Sequence, residues 1–152
     1  MAATAWAVYN LAKKKIGNST LNLAATVFRM TLHTSASNVN TATLNVYGAS
    51  VTGEVVSVTG AYSTSGKPLV NEVWTNAGTA SAGQYKFDAD DVFWSALTTI
   101  SNIKFAVIWL SAAATANRHL LCRSSLSTAQ FTLATGNRMT VQMAATGILL
   151  LN

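Results

Sequence analysis

Apolar and polar positions alternate along most of this chain with the two-residue period of a β-strand. In Thr26–Thr34, Phe28, Met30 and Leu32 alternate with Arg29, Thr31 and His33, which predicts a half-buried strand with His33 on its polar, exposed face. Arg138–Ala144 repeats the pattern with Met139, Val141 and Met143. Ile103–Leu110 is apolar at nearly every position and predicts a central strand covered on both faces. Shorter stretches at Glu54–Val58, Gly60–Tyr62, Leu69–Thr75, Tyr85–Trp94, Arg118–Arg123, Gln130–Leu133 and Ile148–Leu151 read as further strands. Ser65-Gly-Lys-Pro68 reads as a turn, and Ala145-Thr-Gly147 as a bend before the last strand. Thr43–Gly53 carries no decisive period, so the middle of the chain, residues 43–58, stays structurally open. Roughly eight short strands with frequent turn signals predict a mainly β chain. The expected architecture is one antiparallel β-sandwich domain, jelly-roll-like, spanning residues 1–152.

One segment breaks the β pattern. Ala5–Ile16 places Trp6, Tyr9 and Ala12 at helical spacing, with Leu11 and Ile16 nearby. Thr4 can cap its start, and Gly17-Asn18 can supply a left-handed stop. Lys13, Lys14 and Lys15 then fall in the last turn, where positive charge offsets the helix dipole.

Composition narrows the function. The 152 residues include only 5 acids, 2 histidines and 1 cysteine, while half of all residues are hydrophobic. Charged residues make up 10%, against about 25% in ordinary soluble domains. Active sites draw on clustered titratable groups, and this chain has little to build one from. No Gly-x-Ser-x-Gly elbow stands beside His33 or His119, and no phosphate-binding glycine loop occurs. No catalytic, cofactor-binding or metal site is therefore expected. Glu54 and Glu72 read as salt-bridge or edge residues. Three of the five acids fall in Asp88-Ala-Asp-Asp91, where short acids cap a turn; a cation held by Asp88, Asp90 and Asp91 is the weaker alternative, since the spacing of a calcium loop is absent.

The net charge of +5 raises the question of nucleic acid. Lys13–Lys15 is the only basic run, the other cations are scattered, and no aromatic-studded basic motif accompanies them, so direct nucleic-acid binding is not expected. Cys122 is alone in an apolar stretch and reads as inert packing, in keeping with assembly in a reducing cytoplasm. The first residues lack the pattern of a signal peptide, and Ile148–Leu151 is far too short to span a bilayer.

A series of landmarks runs through most of the chain: Lys13-Lys-Lys-Ile-Gly-Asn18, Leu21-Asn-Leu23, Val27-Phe-Arg-Met-Thr-Leu32, Thr34-Ser-Ala-Ser-Asn38, Gly60-Ala-Tyr62, Gly66-Lys-Pro-Leu69, Phe87-Asp-Ala-Asp-Asp-Val92 with Trp94, Lys104-Phe-Ala-Val-Ile108 and Ala144-Ala-Thr-Gly-Ile-Leu149. Taken together they resemble small virion structural proteins of tailed bacteriophages. The resemblance implies a capsid decoration or cement subunit, assembled in the host cytoplasm, whose partner is the major capsid protein and which forms a homo-oligomer, a trimer being one option. A tail or head-to-tail component is the alternative within that class. A carbohydrate-binding β-sandwich at the virion surface is the alternative outside it. Aromatic side chains dominate interface energetics, so Trp6, Tyr9, Trp74 and Trp94 are candidate anchors, with Lys13, Lys14 and Lys15 able to meet an acidic surface. Each aromatic reads equally well as core.

Overall fold

Which alternating stretches become strands depends on what each finds to pair with. The computed structural model describes residues 5–24, 27–76, 84–144 and 147–151. Among these residues the chain runs β1 (Ala7–Val8), α1 (Asn10–Gly17), β2 (Phe28–His33), β3 (Lys67–Pro68), β4 (Val73–Asn76), β5 (Tyr85–Asp88), β6 (Val92–Ser95), β7 (Ile100–Ile103), β8 (Phe105–Leu110), β9 (Leu120–Ser125), β10 (Phe131–Leu133), β11 (Arg138–Val141) and β12 (Leu149–Leu151). The fold is mainly β, with every strand pairing antiparallel. The twelve short strands exceed the expected eight: β1 forms within the predicted helix, β3 within the predicted turn, and β7 ahead of the predicted Ile103–Leu110 strand.

Four sheets result: a five-stranded one ordered β1-β9-β8-β2-β3, a three-stranded one ordered β12-β5-β4, and the ribbons β10-β7 and β11-β6, none closing on itself. The Phe-Ala-Val-Ile-Trp run of β8 is buried throughout, as expected of a doubly covered strand, and occupies the middle of the largest sheet. Burying side chains of this size contributes about 2 kcal/mol each. β2 pairs with β8 along its whole length, from Phe28↔Leu110 to His33↔Phe105. The Phe28 ring lies 5.0 Å from Phe87 of β5, which packs the five-stranded sheet on the three-stranded one. The buried apolar side chains gather in one cluster.

The predicted helix is shorter than its pattern. Ala7 and Val8 pair with Arg123 and Cys122 of β9, and the Tyr9 amide donates to the Leu121 carbonyl (3.1 Å), so the helix begins only at Asn10. Trp6-Ala-Val-Tyr9 fits either period, and the open edge of β9 decides for strand. Thr4, the expected cap, lies outside the described residues, and no side chain caps α1. The left-handed stop falls at Ser19 (φ 61°), two residues past Gly17. Lys14 and Lys15 sit in the last turn as expected, but Lys13 falls before it.

His33 is a correction. It is fully buried, not exposed, because the polar face of β2 is covered by a long irregular segment from the chain's middle. Glu54 bridges His33, the Val55 amide donates to the Leu32 carbonyl (2.9 Å), and the Thr34 amide donates to the Gly53 carbonyl (2.9 Å). The strands expected at Glu54–Val58 and Gly60–Tyr62 reduce to isolated bridges, Glu54 with His33 and Val58 with Tyr62. Of the Ala145-Thr-Gly147 bend, only Gly147 is among the described residues.

Candidate docking face

The ribbon β6-β11 has two unlike faces. Val92, Trp94, Met139 and Val141 point inward and are buried, while Phe93, Ser95 and Arg138 are exposed. Their register is Val92↔Val141 through Ser95↔Arg138, which sets Phe93 diagonally beside Arg138. The Arg138 guanidinium lies 3.8 Å from the Phe93 ring centroid, and the Lys67 ammonium lies 4.8 Å from it. Lys67 Nζ also donates to the Phe93 carbonyl (2.8 Å). Phe93 keeps 42% of its surface exposed despite both cations. Cation–ring contacts of this kind contribute about 0.5–1 kcal/mol at a surface, which biases the ring toward this position.

On one side of this cluster a groove of about 490 Å³ runs between Phe93–Ser95 and the 57–63 segment, with Lys67 at its mouth. On the other side lies a smaller one of about 220 Å³, bounded by Val70, Asp90 and Asp91. Val70 (55%) and Leu97 (74%) are among the exposed apolar side chains nearby, and Leu97 packs against Gly60 at the groove's wall.

The wall is held by part-buried polar chemistry. Glu54 accepts from the hydroxyls of Tyr47 and Tyr62 and from the Ser65 amide (2.8 Å). Tyr62 in turn accepts from the Leu32 amide (3.1 Å), tying the wall to β2. Burial is the first cause raising both phenols above their ordinary range, and the neighbouring carboxylate adds to it. The Tyr47 ring stacks on Trp109, 3.9 Å between centroids. Arg29 donates to the carbonyls of Ser65 (2.8 Å) and Gly66 (2.7 Å), which braces the turn that presents Lys67.

The residues singled out from sequence scatter. Tyr9 and Trp94 are in the chain's own core, Tyr9 donating its hydroxyl to the Val39 carbonyl (2.9 Å), so neither presents an outward ring. Trp6 is half-buried, Lys13 and Lys14 are exposed, and the half-buried Lys15 ammonium lies 2.8 Å from His119 Nδ1. Trp74 is half-buried, stacks with Tyr85 at 5.9 Å, and borders a groove of about 390 Å³ with Ile16, Ser19 and Leu23 from the helix end. The structure thus brings Trp74 to the end of α1, but not to Trp6 or Trp94.

Among the described residues neither Glu54 nor Glu72 forms a salt bridge; Glu54 takes an edge position, bridging His33 of β2, while Glu72 accepts the Phe28 amide (2.7 Å) and burial raises its carboxyl above the usual range. Asp88 pairs with Lys86 (2.9 Å), Asp90 accepts from Asn71 (2.7 Å) and Asp91 from the Met143 amide (2.8 Å), so the three carboxylates serve three separate partners at the turn. Among the described residues no three His, Cys, Asp or Glu side chains converge as metal ligands. His33 bonds Thr31 Oγ1 (3.0 Å), and burial drops its pKa from 6.5 to about 4. Cys122 is fully buried, which pushes its thiol up. No helix among the described residues is long and apolar enough to cross a membrane.

Sequence reasoning passed over Phe93, Lys67 and Arg138. In Val92-Phe-Trp-Ser95 two aromatics face opposite ways, and nothing local says which faces out. The usable signal was across the ladder, where Arg138 and Thr140 are the polar positions of β11 and so mark Phe93's face as the outer one. Protein-family models, curated proteins and solved structures yielded no match to this chain.

Proposed function

We propose that this chain is a structural protein of a tailed-phage virion, a capsid decoration or cement subunit that docks on the lattice of the major capsid protein and stabilises the head. Its sheets would then form a jelly-roll-like sandwich, working as a homo-oligomer without catalysis. The observation that carries this reading is the solvent-facing cluster of Phe93, Lys67 and Arg138, with Val70 and Leu97 exposed around it. Exposed apolar side chains set beside cations that lack carboxylate partners among the described residues suit an interface. The reactive groups supply the complement. His33 and Cys122 are enclosed in the core, and Glu54 is spent on holding a loop. A subunit that binds only the assembled shell lowers the free energy of that state alone.

The test adds purified chain to shells that lack it and follows co-sedimentation and shell melting. Saturable binding with a higher melting temperature is the expected outcome; shells that neither bind the chain nor melt differently would overturn the proposal. Electron microscopy of the particle separates a head position from the tail or head-to-tail alternative.

A carbohydrate-binding module is the second reading, supported by the stacked Trp74–Tyr85 pair beside the groove that Ser19 borders. Glycan binding that is lost in Trp74→Ala and kept in Phe93→Ala would favour it. Trp94, fully enclosed, cannot serve as a sugar platform.

A further inference from the structure

We propose that the outer edge of β6 receives an extended acidic segment of a partner protein as an added strand, with Lys67 and Arg138 reading its carboxylates. The inference deepens the assembly reading and rests on it for the existence of a partner.

Ladder geometry shows the edge to be open. The Ala96 amide donates to the Asn137 carbonyl (2.9 Å), so residues 94 and 96 turn their backbone groups toward β11. Phe93 and Ser95 then turn theirs the other way. There the Phe93 carbonyl takes the Lys67 ammonium (2.8 Å), and the amides of Phe93 and Ser95 have no partner among the described residues. This edge is the strip that lines the groove of about 490 Å³. Strand addition supplies main-chain bonds to such an edge and places alternate side chains in and out of the groove.

Charge selects the occupant. Neither Lys67 nor Arg138 has a carboxylate partner among the described residues, where the sole ion pair is Lys86–Asp88. Asp90 and Asp91, at the smaller groove, already accept from Asn71 and Met143. A second copy is a poor guest. Pairing two β6 edges would press Lys67 and Arg138 against their own counterparts, in a chain of net charge +5. An acidic strand reverses that repulsion: as it enters, the Lys67 ammonium exchanges the Phe93 carbonyl for a carboxylate and frees that carbonyl for the ladder.

The probe is an acetylated, amidated octapeptide alternating valine and glutamate, added to the full chain while amide exchange is read by NMR. Exchange at Phe93 and Ser95 should slow at least tenfold and saturably, whereas a valine–lysine octapeptide should leave it unchanged. Lys67→Glu combined with Arg138→Glu should weaken the glutamate peptide at least tenfold and admit the lysine one. Arg138→Gln, which loses only the ring contact and so keeps the fold, should weaken the glutamate peptide several-fold. No slowing, slowing elsewhere, equal response to both peptides, or slowing that tracks protein concentration without peptide overturns the proposal. A charge-reversed chain that loses the peptide yet still coats shells removes this edge as the docking element and leaves the assembly reading intact. Wild-type chain that takes the peptide but ignores shells does the reverse.

Discussion

His33 shows what burial does to a single titratable group. Its folded pKa of about 4 lies below the ordinary 6.5, so between those values the unfolded chain binds a proton that the folded chain refuses. Stability present above pH 6.5 is therefore lost as the solution is acidified toward pH 4, on the order of 3 kcal/mol in all. Melting temperature measured across that window should fall steeply in the wild type and much less in His33→Gln. His119→Gln is the control, because burial and the Lys15 charge lower that histidine too. Glu54 makes the opposite case, a carboxylate used as an acceptor. Glu54→Ala strands two tyrosine hydroxyls and the Ser65 amide, and should cost about 3 kcal/mol in urea unfolding. Tyr62→Phe, which loses the contacts to Leu32 and Glu54 but keeps the ring, should cost less, about 1–2 kcal/mol.

At the scale of elements, the turn into β3 is the most tightly specified joint. Gly66 has φ 61°, and a Cβ there would stand 1.8 Å from the Met30 carbonyl oxygen. Gly66→Ala should cost at least about 3 kcal/mol, seen as a lower urea midpoint, and should displace Lys67 from Phe93. The Ser65-Gly66 half of this turn was legible, since glycine announces its own backbone need, but Lys67 and Pro68, read as its second half, form β3. Also legible were β8, from its unbroken apolar run, and β2, from the alternation of Phe28, Met30 and Leu32. What escaped was anything decided by a distant partner. His33 looked exposed because Ser37 and the Thr52 backbone, which meet its ring, come from beyond the strand, and Trp94 looked available because both faces of Val92–Ser95 carry an aromatic. Trp6–Tyr9 looked helical because the edge it joins on β9 lies far along the chain. Parity and period are local quantities, whereas burial belongs to the assembled sheet.

At the scale of the molecule, the core encloses Cys122 in β9, between β1 and β8, and the thiol is a reporter of whole-chain opening. Ellman's reagent should leave the native protein unlabelled over hours and titrate one thiol in denaturant; fast labelling under native conditions would mean that β1 peels away on its own. That pairing of β1 with β9 has a bearing on biosynthesis as well. Ala7 cannot meet Arg123 until the ribosome has released every residue between them, and Leu149 closes on Phe87 later still. With so many of its contacts spanning long stretches of sequence, the nascent chain must wait in an unfinished form, its aromatic and aliphatic side chains accessible to chaperones, and fold slowly once the distant partners have emerged.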